Sequence, residues 1–168
     1  VPMPETGLKS NRRLLVLGLG NYLCGDDSIG FRLAEKLSSS YFHPQVDIIN
    51  GGTVGMGLLY LFEEYSDLMI IDAIDVGAAP GRIFQFQIAD IEKMSGAASV
   101  SNHQEGAANL LRCAKLIGTL PSQATIIGIQ VKKIAHEVGL SEELNKKLKE
   151  IAENITKEID RYVTKCMS

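Results

Sequence analysis

Three short runs of continuous apolar residues punctuate the chain: LLVLGLG at 14–20, LMIID at 68–72 and ATIIGI at 124–129. Runs of this length, rich in Leu, Ile and Val, predict strands buried on both faces, as in the middle of a parallel sheet. IFQFQI at 83–88 is different. From Phe84 onward it alternates, with Phe84, Phe86 and Ile88 on one side and Gln85 and Gln87 on the other. That half-wet pattern predicts an edge strand. VDIIN at 46–50 is a fifth, shorter strand candidate.

Helical periods fill the gaps. Ile29, Leu33 and Leu37 mark a first helix; Leu58, Leu61 and Phe62 a second; Ala107, Leu111 and Ala114, flanked by Leu110 and Ile117, a third. The last is the clearest, with Leu144, Leu148, Ile151, Ile155, Ile159 and Tyr162 at spacings of three and four, opened by Ser141 and Glu142. Its opposite face is charged and reads as solvated surface. Strands alternating with helices predict right-handed βαβ crossovers, hence an α/β domain of three αβα layers around a doubly wound, five-stranded, mostly parallel sheet. One link breaks the rule: only nine residues separate Asp72 from Arg82, among them Gly77, Pro80 and Gly81. Nine are too few for a helical crossover, so the edge strand is expected to run antiparallel.

A length of 168 residues fits a single domain over 1–168, with residues 1–11 read as a flexible N-terminal segment outside the fold. A net charge of -3 gives no electrostatic reason to expect nucleic acid or an anionic membrane as partner. No apolar run approaches the roughly 18 residues of a membrane span, and the polar start VPMPETGLKSNRR is not a signal peptide. Cys24, Cys113 and Cys166 are odd in number and form no C-x-x-C pair, which excludes a zinc ribbon and points to no disulfide framework. A cytoplasmic protein is the expectation.

The chemistry follows from topology. In open α/β sheets ligands bind outside the carboxyl ends of the strands. Asp26 and Asp27 follow the first strand through the loop GNYLCG and begin the first helix, and Asp72 is read as the last residue of another buried strand. His103 precedes a helix that feeds the next parallel strand, so it too starts at the crevice face. Each has a plainer reading: Asp26 or Asp27 as a helix cap, the reading preferred for Asp26, and His103 as a solvated histidine. Asp72, ending so apolar a run, needs a partner for its carboxylate; Asp75 is a nearby competitor. Together Asp27, Asp72 and His103 make a mixed oxygen and nitrogen set with open positions, suited to zinc, nickel or manganese.

Rival motifs are incomplete. GLGNYL begins like a dinucleotide-binding turn, but Leu23 stands where the third glycine belongs, and neither a Walker motif nor G-x-S-x-G is present. Cys24 borders the site with no base fixed beside it by sequence, and reads as a small loop-packing residue. His43 and His136 receive no role.

LVLGLGNYLCGDDSIG, NGGTVGM (50–56), DLMIIDAIDVGAAPG (67–81) and SNHQEGAANLL (101–111) together resemble the hydrogenase maturation proteases, over about residues 13–163. The resemblance implies removal of a C-terminal peptide from a nickel-loaded [NiFe]-hydrogenase large-subunit precursor. It implies a metal held by Asp27, Asp72 and His103: nickel, resident or presented by the substrate, with zinc or cadmium able to take its place. Asp27 stands where some members carry glutamate, and Ser28 departs from the DDG form. Two mechanisms follow from it. The metal polarises the scissile carbonyl or activates water, or the three residues read the precursor's nickel while Asp26 or Asp75 acts as base. Gly51, Gly52 and Thr53 are substrate-contact candidates, the two glycines being equally explained by a turn. The alternative function is a nickel-binding chaperone or precursor-sensing module with the same site and no hydrolysis.

Overall fold

The computed structural model describes residues 12–53, 55–90 and 105–166. Its five strands are β1 (Leu14–Leu19), β2 (Val46–Gly52), β3 (Asp67–Ile74), β4 (Ile83–Gln87) and β5 (Gln123–Gln130). They form one sheet in the order β2-β1-β3-β5-β4, parallel except for β4, which pairs antiparallel with β5. The short Asp72-to-Arg82 link thus returns the chain as a β-edge, as its length required.

The helices are α1 (Ile29–Ser38), α2 (Glu105–Ile117) and α3 (Glu142–Cys166). Among the described residues there are also two 3-10 segments, a turn at Gly25–Ser28 and a longer piece at Gly55–Glu64, and residues 88–90 directly after β4 are helical. Several boundaries differ from the sequence reading: β2 runs on through Gly51 to Gly52, and β4 ends at Gln87, one residue short of Ile88. The second helical period is wound as a 3-10 helix, Asp26 and Asp27 lie in the 3-10 turn before α1, and β3 runs two residues past Asp72 to Ile74. Ala73 and Ile74 continue the ladder opposite Ile129 and Gln130, so the carboxylate sits inside the strand rather than at its end.

Alternation along the strands divides the core in two. Leu14 and Val16 of β1 with Met69, Ile71 and Ala73 of β3 face α1 and α3, meeting Leu33, Leu37, Ile151 and Ile155. Leu15, Leu17 and Leu19 with Leu68 and Ile70 face the other way, onto Phe62 of the 3-10 helix and Leu110, Leu111 and Ala114 of α2. The sandwich therefore has three layers, and β1 and β3 are buried along their whole length.

From β1 the chain goes to β2 on one side and then crosses to β3 on the other. The crevice between β1 and β3 is the topological switch point. Two glycines let α1 enter it closely. A Cβ on Gly18 would stand 2.2 Å from the carbonyl oxygen of Gly30, and a Cβ on Gly30 would stand 2.3 Å from those of Leu19 and Ile71. Backbone meets backbone there, and no flexible side chain can yield. Gly30→Ala should therefore lower stability by about 2 kcal/mol, read as a shift of the urea midpoint; a variant as stable as the parent would show that α1 is not fixed by this contact.

Candidate active site

A cavity of about 320 Å3 opens at the switch point. Leu19 lines it from the end of β1, Gly20 and Asn21 from the loop that follows, Asp27 from the 3-10 turn, Gly52 and Thr53 from the end of β2 and just beyond, Met56 from the longer 3-10 helix, Asp72 from β3, and Gly106, Asn109 and Leu110 from α2. Topology thus brings together Asp27 and Asp72, which are 45 positions apart in sequence.

Asp72 shares its face of β3 with Leu68 and Ile70, by the two-residue repeat of a strand, and so points toward α2. It is 5% exposed. Its Oδ1 accepts from the N–H of Ala73 at 2.9 Å, and its Oδ2 from the N–H of Ala107, in the first turn of α2, at 3.2 Å. A Cβ on Gly106 would stand 3.2 Å from that same oxygen, so glycine leaves the carboxylate room. Among the described residues no cationic side chain is paired with it. Burial above all, with the nearby negative charge of Asp27, pushes its pKa up to about 7 against the pull of the two N–H donors.

Asp27 is half-buried and its Oδ2 accepts from the N–H of Asn21 at 2.8 Å, which closes the loop after β1 upon itself. Asp26 belongs to different machinery. It is 1% exposed and absent from the cavity wall. Its Oδ2 accepts from the N–H groups of Lys132 and Lys133 at 3.0 and 3.1 Å, and its Oδ1 from that of Ser141 at 2.6 Å. It thereby clamps the 3-10 turn to the loop that leads into α3. In a 3-10 turn successive residues are turned about 120° apart, which is how neighbouring aspartates come to face a cavity and a loop respectively.

Asp75 is exposed, lies off the cavity wall, and accepts from Gln130 Nε2 at 3.0 Å and the N–H of Gly77 at 3.2 Å. Those bonds hold its carboxyl below the usual range, the Gln130 bond most of all. Gly52 and Thr53 reach the cavity, whereas Gly51 turns toward Leu17, whose Cδ1 a Cβ would meet at 2.7 Å. His103 lies outside the described residues. Two positions later Glu105 opens α2, the helix whose first turn binds Asp72. Among the described residues no three His, Cys, Asp or Glu side chains gather as a metal site.

Sequence reasoning missed two features. Asn21 and Asn109 line the cavity with amide side chains. Asn109 had a signal, a polar residue three positions after Gly106 on the otherwise apolar side of α2 that carries Leu110. Cys24, read as having no base beside it, lies 3.9 Å from Nδ1 of His136.

A family model described as hydrogenase maturation protease matches residues 31–158. Among curated proteins, the hydrogenase expression/formation protein HupD of Rhodobacter capsulatus is 38% identical over 119 residues, covering 70% of this chain and 57% of that protein. The hydrogenase 2 maturation protease of Escherichia coli K12 is 34% identical over 131 residues, covering 77% of this chain and 79% of that protein. The chain spans 57% to 63% of the length of the HupD and HoxM relatives it matches first. Among solved structures, the hydrogenase maturating endopeptidase HybD from E. coli superposes with a TM-score of 0.73 at 30% identity, over 89% of this chain and 93% of that one. The [NiFe] hydrogenase maturation protease HybD from Thermococcus kodakarensis gives 0.69 at 28%, over 86% and 97%.

Two predictions separate the aspartates. Between about pH 4 and pH 7 the folded, metal-free chain keeps a proton on Asp72 that the unfolded chain releases, so stability falls as pH rises through that window. Asp72→Asn should remove this slope and stabilise the metal-free protein by about 1–3 kcal/mol at pH 8, with no difference below pH 4; parallel pH–stability curves for the two proteins would contradict it. Asp26→Ala should lower stability by about 2–3 kcal/mol, having stranded three N–H donors, and Asp27→Ala by clearly less, both followed by chemical denaturation.

Proposed function

This chain is a member of the hydrogenase maturation protease family, and on that premise we propose that it is an endopeptidase removing the C-terminal peptide of a nickel-loaded [NiFe]-hydrogenase large-subunit precursor. The observation that carries the reading is the pair of carboxylates, Asp27 and Asp72, on the wall of one cavity at the switch point of the sheet. The names of the relatives support it: one is a hydrogenase 2 maturation protease, another a [NiFe] hydrogenase maturation protease.

The donor set fits a divalent cation. A carboxylate as buried as Asp72, next to a second carboxylate and without a cationic partner among the described residues, is stabilised by whatever positive charge reaches it. In the proposed reading Asp27, Asp72 and His103 grasp the nickel that the precursor brings as cargo, so that only a metal-loaded precursor is seated. A resident zinc, nickel or cadmium ion would use the same three residues and would polarise the scissile carbonyl or activate water.

The rest is done by the chain itself. Gly52 and Thr53 border the cavity at the end of an edge strand, where backbone groups can align an extended peptide. The amides of Asn21 and Asn109 can donate to its carbonyls. Neither Asp26, whose carboxylate is consumed by three N–H groups, nor Asp75, exposed beyond the cavity, is placed to take a proton from an attacking water. Among the described residues that leaves Asp27 and Asp72 as the acids on the wall.

The test is the mass of the precursor. Incubated with nickel-loaded and nickel-free large-subunit precursors, the wild-type protein should shorten only the loaded form, and His103→Ala or Asp72→Ala should lower the rate by about a hundredfold or more. Cleavage by chelator-treated enzyme without added metal would assign the nickel to the substrate. Stable association with no loss of mass would replace the protease by a binding module.

A further inference from the structure

A groove lies on the face of the sheet opposite the one that Asp72 occupies. It runs between α3 and the edge strand β4 as two recesses of about 380 and 190 Å3, joined through Ile83 and Asn154, which line both. Ile83, Ile127, Ile151 and Ile155 give it an apolar floor. Its charged residues are Arg82, Lys147, Lys157 and Arg161 against Glu150 and Glu158, and Arg161 pairs with Glu158. An excess of positive charge therefore stands along the floor, and no residue of the groove lines the cavity of Asp27 and Asp72. From Lys147 to Arg161 the helix rises about 21 Å, the length of about six residues of extended chain.

The strand beside the groove is an open edge. The N–H of Gln130 donates to the carbonyl of Arg82 at 2.9 Å, which sets the phase of β4: the backbone groups of Phe84 and Phe86 turn in toward β5, and those of Ile83, Gln85 and Gln87 turn out. Asp90 Oδ2 accepts from the N–H of Gln87 at 3.1 Å, whereas the outward groups of Ile83 and Gln85 meet no partner among the described residues. Edge strands are commonly blunted by a lysine, a proline or a bulge. Ile83–Gln87 contains neither residue, and its register against β5 is unbroken. The two faces of this edge differ. Ile83 packs with the α3 layer, where the cations stand, and Phe86 with the α2 layer, where its half-buried ring stacks on that of Phe84 at 6.3 Å between centroids.

We propose that β4 takes an extended segment of a partner protein as a sixth strand, a segment in which acidic residues alternate with apolar ones. Its acidic side chains lie over the groove and meet Arg82, Lys147 and Lys157, and its apolar side chains lie beside Phe84 and Phe86 on the other face. The segment comes from a partner and not from a second copy, because two copies joined at β4 would bring the same positive excess together. The cavity of the two carboxylates opens on the α2 side and shares no residue with the groove, so both are available at once. The edge site thus stands apart from the protease reading.

Fluorescence anisotropy on the full chain tests it, with a fluorescein-labelled peptide of alternating Glu and Val about eight residues long. Binding should saturate, and the matching peptide of Gln and Val should bind more weakly by about tenfold or more. Gln85→Pro removes one outward N–H at an edge position that tolerates proline. Arg82→Glu combined with Lys157→Glu reverses two charges that form no ion pair among the described residues. Each variant should raise Kd for the Glu and Val peptide by about tenfold or more. A parent that binds neither peptide, or both equally, overturns the proposal, as does either folded variant that binds as the parent does, or a parent dimer that Gln85→Pro splits. Should Gln85→Pro lose the parent's thermal midpoint, the charge-reversed variant decides alone. No cleavage is read, so failure of the protease reading leaves the edge site standing.

Discussion

Asp72 is a carboxylate placed where a protein interior least tolerates one. It lies inside a strand buried along its whole length, facing an apolar layer and sharing a cavity with a second acid. Two backbone N–H groups, one from its own strand and one from the first turn of α2, are all that the described residues offer it. The two hydrogen bonds lower its ionisation cost without cancelling the effect of burial, which pushes its pKa up to about 7. A hydrophobic residue there would make a more stable sheet. Keeping an acid instead leaves an unmet demand for positive charge at a fixed point, and the remainder of the crevice is arranged about that point.

The arrangement depends on close packing elsewhere. Gly18 and Gly30 let the start of α1 approach β1 and β3 until only backbone atoms separate them, which fixes the 3-10 turn carrying Asp27 against the strand carrying Asp72. Asp26 then ties the same turn to the far side of the fold through Lys132, Lys133 and Ser141. Ser28, fully buried, donates to the carbonyl of Gly25 at 2.6 Å and accepts from Arg32 Nε at 2.9 Å, closing the turn from within. The Asp27 side chain is positioned by these neighbours as well as by its bond to Asn21.

Much of this was legible in the chain because burial on both faces writes itself as unbroken apolar runs, and β1, β3 and β5 lie where those runs lie. The nine-residue gap after Asp72 foretold the reversed edge, since chain length alone forbids a crossover. The division of labour between Asp26 and Asp27 was not legible, although capping was the preferred reading for Asp26. The partners that distinguish it are N–H groups 106 to 115 positions away, and nothing in two adjacent identical letters records which way a 3-10 turn will point them. β3 was ended too early because a charge looked like a terminus; the register against β5 carries it on to Ile74. His136 beside Cys24 is likewise a product of loop packing across 112 positions, without local pattern.

A small cavity and a demanding carboxylate explain chemistry better than they explain choice. In the proposed reading any peptide able to enter about 320 Å3 would meet the same two acids, and these two groups alone do not choose between one peptide and another. Loops that follow parallel strands are the part of this fold free to vary without disturbing the sheet. Here they are cross-tied by Asp26, Gly25 and Gln130 instead of left loose, and their tips are apolar. The bonds that fix the turn carrying Asp27 at the base of the crevice also fix the loop that follows β5. A substitution that loosens the β1 loop is therefore expected to move both the Asp27 carboxylate and the loop after β5, whereas one confined to an exposed tip leaves both in place.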